Sequence, residues 1–324
     1  MDLHFYQTCS FILIMVFLGM FSMLDGFDLG VGMLLPFAKD KDEAGRLVSM
    51  ISPFWDGNEV WLITAAGFAF AAFPAVYGLL LSSFYLPIMA FVAALVMRGL
   101  ALDYSYHDLA HQRMWQRLAA GGSYGVTILG LLTLGTILQG LPFVGPGLLS
   151  QTFSDYVGVF PILFCLAGTV FVIWQGMTYT LIRDPSGVRQ DMAKRIWPAV
   201  VAAGMLLMAA WGVYLPQALG KPIALMGGVL CAMGIVAGRL TLERKGWAFY
   251  FSCVSMAGLW MLIAASLYPD VLPARHPSGL SLTLGSAAAP LSTLKPMVLI
   301  GSFLIPVILV YTGFTYRVFR KGVQ

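Results

Sequence analysis

Residues 8–36 read TCSFILIMVFLGMFSMLDGFDLGVGMLLP, an apolar run longer than the ~20 residues an α-helix needs to cross a hydrocarbon core. Asp25 and Asp28 are its only charged residues. Carboxylates inside a span are costly, so the two that are kept here carry information. They are three apart and therefore lie on neighbouring parts of one helix face. Gly26 and Gly30 form a G-x-x-x-G, which lets a second backbone approach closely, so this face is expected to be buried against protein and not lipid. Upstream, Met1-Asp2-Leu3-His4 has no basic segment, and no small-residue cleavage site follows. The stretch reads as a retained helix, not a signal peptide.

The rest of the chain has the same character. Of 324 residues, 59% are apolar and only 10% charged, and the mean hydropathy of +0.82 lies far above that of a soluble domain. Nineteen Lys and Arg against fifteen Asp and Glu is a small basic excess, which argues against nucleic acid as a partner. Cys9, Cys165, Cys231 and Cys253 sit in or beside apolar runs without C-x-x-C spacing, as small core residues do.

The span-length criterion divides the sequence into nine helices, approximately 8–36, 55–73, 77–102, 118–140, 158–182, 196–216, 222–239, 247–268 and 295–317. This predicts an all-α polytopic membrane protein with residues 1–324 as one integral-membrane domain. Basic residues crowd alternate connections, sixteen on one side against Lys221, Arg275 and Lys295 on the other. By the positive-inside rule the N-terminus is outside and the C-terminus cytoplasmic. A cysteine at Ser278 should then be reached from outside, and one at Ser186 should not. The outer connections 141–157 and 269–294 are rich in Gly, Pro and Ser and read as loops.

A second polar cluster, Ser52-Pro53-Phe54-Trp55-Asp56-Gly57-Asn58-Glu59-Val60-Trp61, opens the second span on the same cytoplasmic side as Asp25 and Asp28. Two readings compete. Acidic residues in the first turns of a helix complement its dipole, with Trp55 and Trp61 as interfacial anchors, and need no chemistry. Alternatively, four carboxylates and an amide gathered at one depth, across a connection of fewer than twenty residues, form the mouth of a proton path or a cation site. Gln139 and Gln175 are weaker signals, since buried amides often join helix to helix. His107 and His111 have a spacing that can bind a metal on one helical face, but they flank Asp108 in a basic connection and read as solvated surface. No span contains a histidine, so a bis-histidine haem centre within this chain is not expected.

At these residues the sequence resembles subunit II of the cytochrome bd family of quinol oxidases, including its cyanide-insensitive branch. Asp25-Gly26-Phe27-Asp28-Leu29-Gly30-Val31-Gly32-Met33 and Trp55-Asp56-Gly57-Asn58-Glu59-Val60-Trp61-Leu62-Ile63-Thr64 match that family's hallmark segments. Further similarity, in the family's order, lies in Leu138–Phe143, Gln175-Gly176 with Tyr179, Gly246–Phe249, Leu267-Tyr268-Pro269 with Pro273, and Ile305–Tyr311. The resemblance implies nine helices in two four-helix bundles plus one peripheral helix, in the inner membrane of a bacterium. It implies a subunit I partner carrying haems b558, b595 and d, with quinol and oxygen as substrates of the complex. A small single-helix subunit is a further candidate partner. No cofactor is expected to be held firmly by this chain, although a structural quinone is associated with subunit II in some members. The resemblance further implies that subunit II stabilises the assembly and contributes to proton delivery, with Asp28, Trp55 and Asp56 expected by motif match to serve that route and Asp25, Asn58 and Glu59 beside them. Glu59 stands where some members have Gln, and 284–290 is poorer in polar residues than the family pattern.

Two other classes fit the bare composition. A proton-coupled secondary transporter would also use intramembrane carboxylates and glycine-rich helices, but near the bilayer midplane and with broken helices in two corresponding halves. A purely structural membrane scaffold is the third reading.

Overall fold

The computed structural model describes residues 2–145, 147–150, 158–183, 188–244, 246–275 and 281–319. Helix α1 spans Leu3–Leu34; at 1.5 Å per residue it extends about 48 Å, past both edges of a ~30 Å hydrocarbon core. A 3₁₀ turn containing Pro36 ends it. The connection that follows holds a helix that the span reading does not contain. Helix α2 (Lys41–Ile51) is capped by Asp40, whose side chain accepts from the Glu43 amide, and it buries Ala44, Leu47, Val48, Met50 and Ile51 while Lys41, Asp42 and Arg46 face outward.

Helix α3 (Trp55–Ala72) meets helix α4 (Pro74–Ser83) at a bend of 117°. Helix α5 covers Tyr85–His107. This corrects the expected span at 77–102: its first residues belong to the bent helix, and the crossing itself starts at Tyr85. The break has a local cause. Pro74 has no amide hydrogen to continue the α3 ladder, Phe73 leaves helical geometry (φ −134°, ψ 63°), and the Ala72 carbonyl accepts instead from the Ala289 amide at 2.8 Å.

Helix α6 (Gln112–Gln139) leads to a hairpin of strands β1 (Phe143–Gly145) and β2 (Leu148–Leu149). Helices α7 (Val159–Arg183), α8 (Val188–Tyr214), the single turn α9 (Pro216–Leu219), α10 (Pro222–Leu240) and α11 (Trp247–Leu267) follow. Strands β3 (Asp270–Leu272) and β4 (Leu282–Thr283), the turn α12 (Leu284–Ala287) and helix α13 (Leu291–Phe319) complete the chain. The two connections read as loops therefore carry short antiparallel hairpins, joined by a bridge in which the Leu141 amide donates to Pro273 and the Arg275 amide to Leu141. Ser186 and Ser278 lie outside the described residues.

Among the described residues eight helices are long and apolar enough to cross a membrane, and nine when the bent α3–α4 pair counts as one span. Helices α1, α3, α5 and α6 form one bundle, α7, α8, α10 and α11 a second, and α13 lies outside against α1 and α3. The bundles meet along α1 and α7. Here the G-x-x-x-G expectation holds: a Cβ on Gly30 would overlap the Val172 carbonyl and the backbone of Gly176, so only glycine permits this approach.

Candidate functional site

Near the C-terminal end of α1, the structure gathers side chains from four helices. Asp25 lies against Arg98 of α5, which donates from Nη1 to Oδ2 at 2.8 Å and from Nη2 to Oδ1 at 2.6 Å, with both side chains fully buried. The planar guanidinium fork matches the carboxylate edge, the geometry in which a buried ion pair offsets most of its desolvation. The same Nη1 stands 3.5 Å from Oε1 of Glu59 on α3, whose side chain is 17% exposed.

One turn along α1, Asp28 is fully buried and takes its hydrogen bond from another helix. Asn58 Nδ2 donates to Asp28 Oδ2 at 2.7 Å and to the Leu24 carbonyl at 3.2 Å. Both partners are acceptors, which assigns the nitrogen of the Asn58 amide to this side. Tyr316 of α13 brings its hydroxyl to 3.3 Å from the same nitrogen. Asp28 Oδ1 is buried and has no partner. The Arg98 guanidinium thus touches two of the three carboxyl groups, Asp25 and Glu59, while Asp28 relies on the Asn58 amide.

Aromatic rings pack beside Asp28. Phe27 stacks on Tyr179 at 4.0 Å and meets Phe249 edge-on at 5.5 Å, Phe54 stacks on Tyr316 at 4.4 Å, and the Arg183 guanidinium lies 5.6 Å from the Phe54 ring. On α3, Asp56 is exposed in the first turn and Glu59 is half-buried one turn further along.

The structure therefore brings Asp25, Asp28, Asn58 and Glu59 together and leaves Asp56 at the exposed rim. Of the two tryptophans read as interfacial anchors, Trp61 is not one, since it lies in the core, whereas Trp55 is half-buried. Trp61 is fully buried against Phe17, and the Trp55 indole fills the space over Gly99. Arg98 corrects the charge tally: it belongs to the buried interior of α5 and not to a cytoplasmic connection. Apolar residues on both sides of Met97-Arg98-Gly99 were the signal that could have placed it. Tyr316 left no such signal. Gln175 behaves as an inter-helix amide, donating from α7 to the Met23 carbonyl at 2.7 Å; Gln139 keeps a buried oxygen without a partner over Gly158.

His107 and His111 do not share a helical face, because α5 ends at His107 and α6 begins at Gln112. Both are exposed, His107 on the Asp103 carbonyl and His111 on Asp108. The Trp115 indole N–H, which donates to Asp108, is the main cause that holds its carboxyl below the ordinary value. The described histidines all stand exposed, and among the described residues no group of three or more His, Cys, Asp and Glu could hold a metal ion.

Residues 6–319 match the family described as cytochrome bd terminal oxidase subunit II. The cytochrome bd ubiquinol oxidase subunit 2 of Bacillus subtilis (strain 168) is 32% identical, over 97% of this chain and 96% of that protein. The cytochrome bd-I ubiquinol oxidase subunit 2 of Escherichia coli (strain K12) is 29% identical, over 96% of this chain and 94% of that protein. A chain of the bd oxidase from Geobacillus thermodenitrificans shares the fold, with a TM-score of 0.77 and 13% identity over 97% of this chain and 98% of that one. With its two carboxylate motifs joined across α1 and α3 and a family match over nearly its whole length, the chain belongs to the cytochrome bd terminal oxidase subunit II family.

Proposed function

We propose that this chain buttresses a haem-bearing subunit I in a quinol:oxygen oxidoreductase of the bacterial inner membrane and carries protons from the cytoplasm toward the site of oxygen reduction. The observation that carries the reading is Asp28: fully buried, held by Asn58 through one oxygen, with the other oxygen unpartnered. A carboxyl group with a free oxygen at membrane depth costs stability, and such groups mark proton relays and ion pathways. Reducing oxygen to water consumes protons inside the membrane, and a graded series from exposed Asp56 through half-buried Glu59 to buried Asp28 suits their delivery. Asp25, tied to Arg98, holds the frame of the path. Electrons and haem chemistry belong to the partner in this reading; this chain's residues hold and pass protons. The transporter reading called for breaks in two corresponding halves, whereas the described break of this kind is the α3–α4 bend alone.

The test uses the assembled complex. Asp28→Asn and Asp56→Asn keep shape and most hydrogen bonding but cannot bind or release a proton. Each should assemble with a normal haem spectrum and oxidise quinol slowly, with the delay in proton-coupled steps after oxygen binds. Full turnover in both variants would eliminate the relay, and joint loss of subunit I and haem would assign these positions to packing.

A further inference from the structure

Tyr316 stands 258 residues from Asn58 in sequence, yet its hydroxyl lies in the same hydrogen-bond cluster. It arrives on α13, a peripheral helix whose Val307, Val310, Tyr311 and Phe314 are exposed. The ring is fixed from two sides, stacked on Phe54 at 4.4 Å and 20° and edge-on to Phe27 at 6.2 Å and 74°. The Asn58 amide has two hydrogens and three acceptors in reach: Asp28 Oδ2 at 2.7 Å, Leu24 O at 3.2 Å and the Tyr316 oxygen at 3.3 Å. Its hydrogens must therefore be shared, and the hydroxyl competes with the Leu24 carbonyl for one of them. In accepting from Asn58, Tyr316 keeps its own hydrogen to donate, beside a carboxyl whose Oδ1 is buried without a partner.

We propose that Tyr316 is a positioning residue for Asp28, acting through Asn58, so that the seating of the last helix sets how the buried carboxyl is hydrogen-bonded. The proposal deepens the relay reading and rests on it for its consequence in turnover. The hydrogen bonding itself can be read separately.

Tyr316→Phe keeps both ring contacts and removes only the hydroxyl. In the assembled complex the carboxyl stretching bands of Asp28, assigned by their loss in Asp28→Asn, are measured by infrared difference spectroscopy alongside the haem spectrum and the pH profile of quinol oxidation. The expected result is an unchanged haem spectrum, a shifted Asp28 band, a displaced pH profile and turnover lowered about twofold to tenfold, the range of one hydrogen bond. In an Asn58→Ala background, Tyr316→Phe should shift the band no further. An unmoved band and pH profile in Tyr316→Phe would overturn the proposal, as would an undiminished shift in the Asn58→Ala background. Loss of haem from Tyr316→Phe would overturn it too, by assigning the hydroxyl to assembly. A shifted band with full turnover in Asp28→Asn would keep the positioning role and remove the relay.

Discussion

Arg98 grips Asp25 through two parallel hydrogen bonds of 2.8 and 2.6 Å, and neither side chain is exposed to solvent. The pair ties α5 to α1 at the level where Asn58 ties α3 to α1, so two of the inter-helix joints of the first bundle are polar. Removing one member of such a pair strands the other charge in a medium that solvates it poorly.

Arg98→Gln should therefore destabilise the complex by about 3–5 kcal/mol, read as a lower midpoint of thermal haem release. Asp25→Asn combined with Arg98→Gln removes both members of the pair and should lose less than the two single variants summed. Strict additivity would show that the two residues do not act as a pair.

Gly30→Ala should push α1 and α7 apart, because the added methyl meets the Val172 carbonyl and the Gly176 backbone, neither of which can turn aside. A loss of about 1–3 kcal/mol is expected. Gly45→Ala on α2 meets nothing within 4 Å and should be neutral or stabilising by up to about 1 kcal/mol, since alanine is the better helix former. Thermal unfolding of the two variants side by side decides the matter, and an equal effect would refute the close-approach argument.

At the other end of the molecule, Lys221 donates from Nζ to the Ala265 carbonyl at 2.8 Å and to that of Tyr268, capping the end of α11. Lys221→Met should cost about 1.5–3 kcal/mol, the range for hydrogen bonds made by a charged group. The loss should depend on pH. Burial raises the Asp270 carboxyl above its ordinary value, while the Ser281 hydroxyl and Lys221 pull it back. Without the lysine the Asp270 value rises further, and a raised carboxyl lowers stability as pH climbs through the gap between its unfolded and folded values. The deficit of Lys221→Met should thus be smallest in acid and grow toward neutrality; a deficit constant with pH would remove the electrostatic part of the account.

Topology can be checked at exposed, described positions. In a background lacking the four native cysteines, Gly285→Cys in α12 should react with a membrane-impermeant maleimide in intact cells, and Asp42→Cys on α2 only after lysis. The reverse pattern would invert the orientation argued from the basic residues.

The sequence by itself determined the polytopic all-helical architecture, the two carboxylate motifs and the tight helix contact at Gly30, because each depends on a local property: the transfer of a contiguous segment into hydrocarbon, the cost of a carboxylate within it, or the size of one side chain. Even the displaced third span was signalled by Pro74. What only the tertiary structure decided is which groups meet. Arg98 counted as a cytoplasmic charge until the azimuth of α5 pointed it at Asp25, and His107 and His111 shared a helical spacing until the chain broke at Asp108. Tyr316 reaches Asn58 from the opposite end of the chain. Such pairings depend on the depth and rotation of separate helices relative to one another. Hydropathy sums over a segment and contains neither quantity, so the carboxyl groups were legible one by one while their partners became visible only once α1, α3, α5 and α13 were packed together.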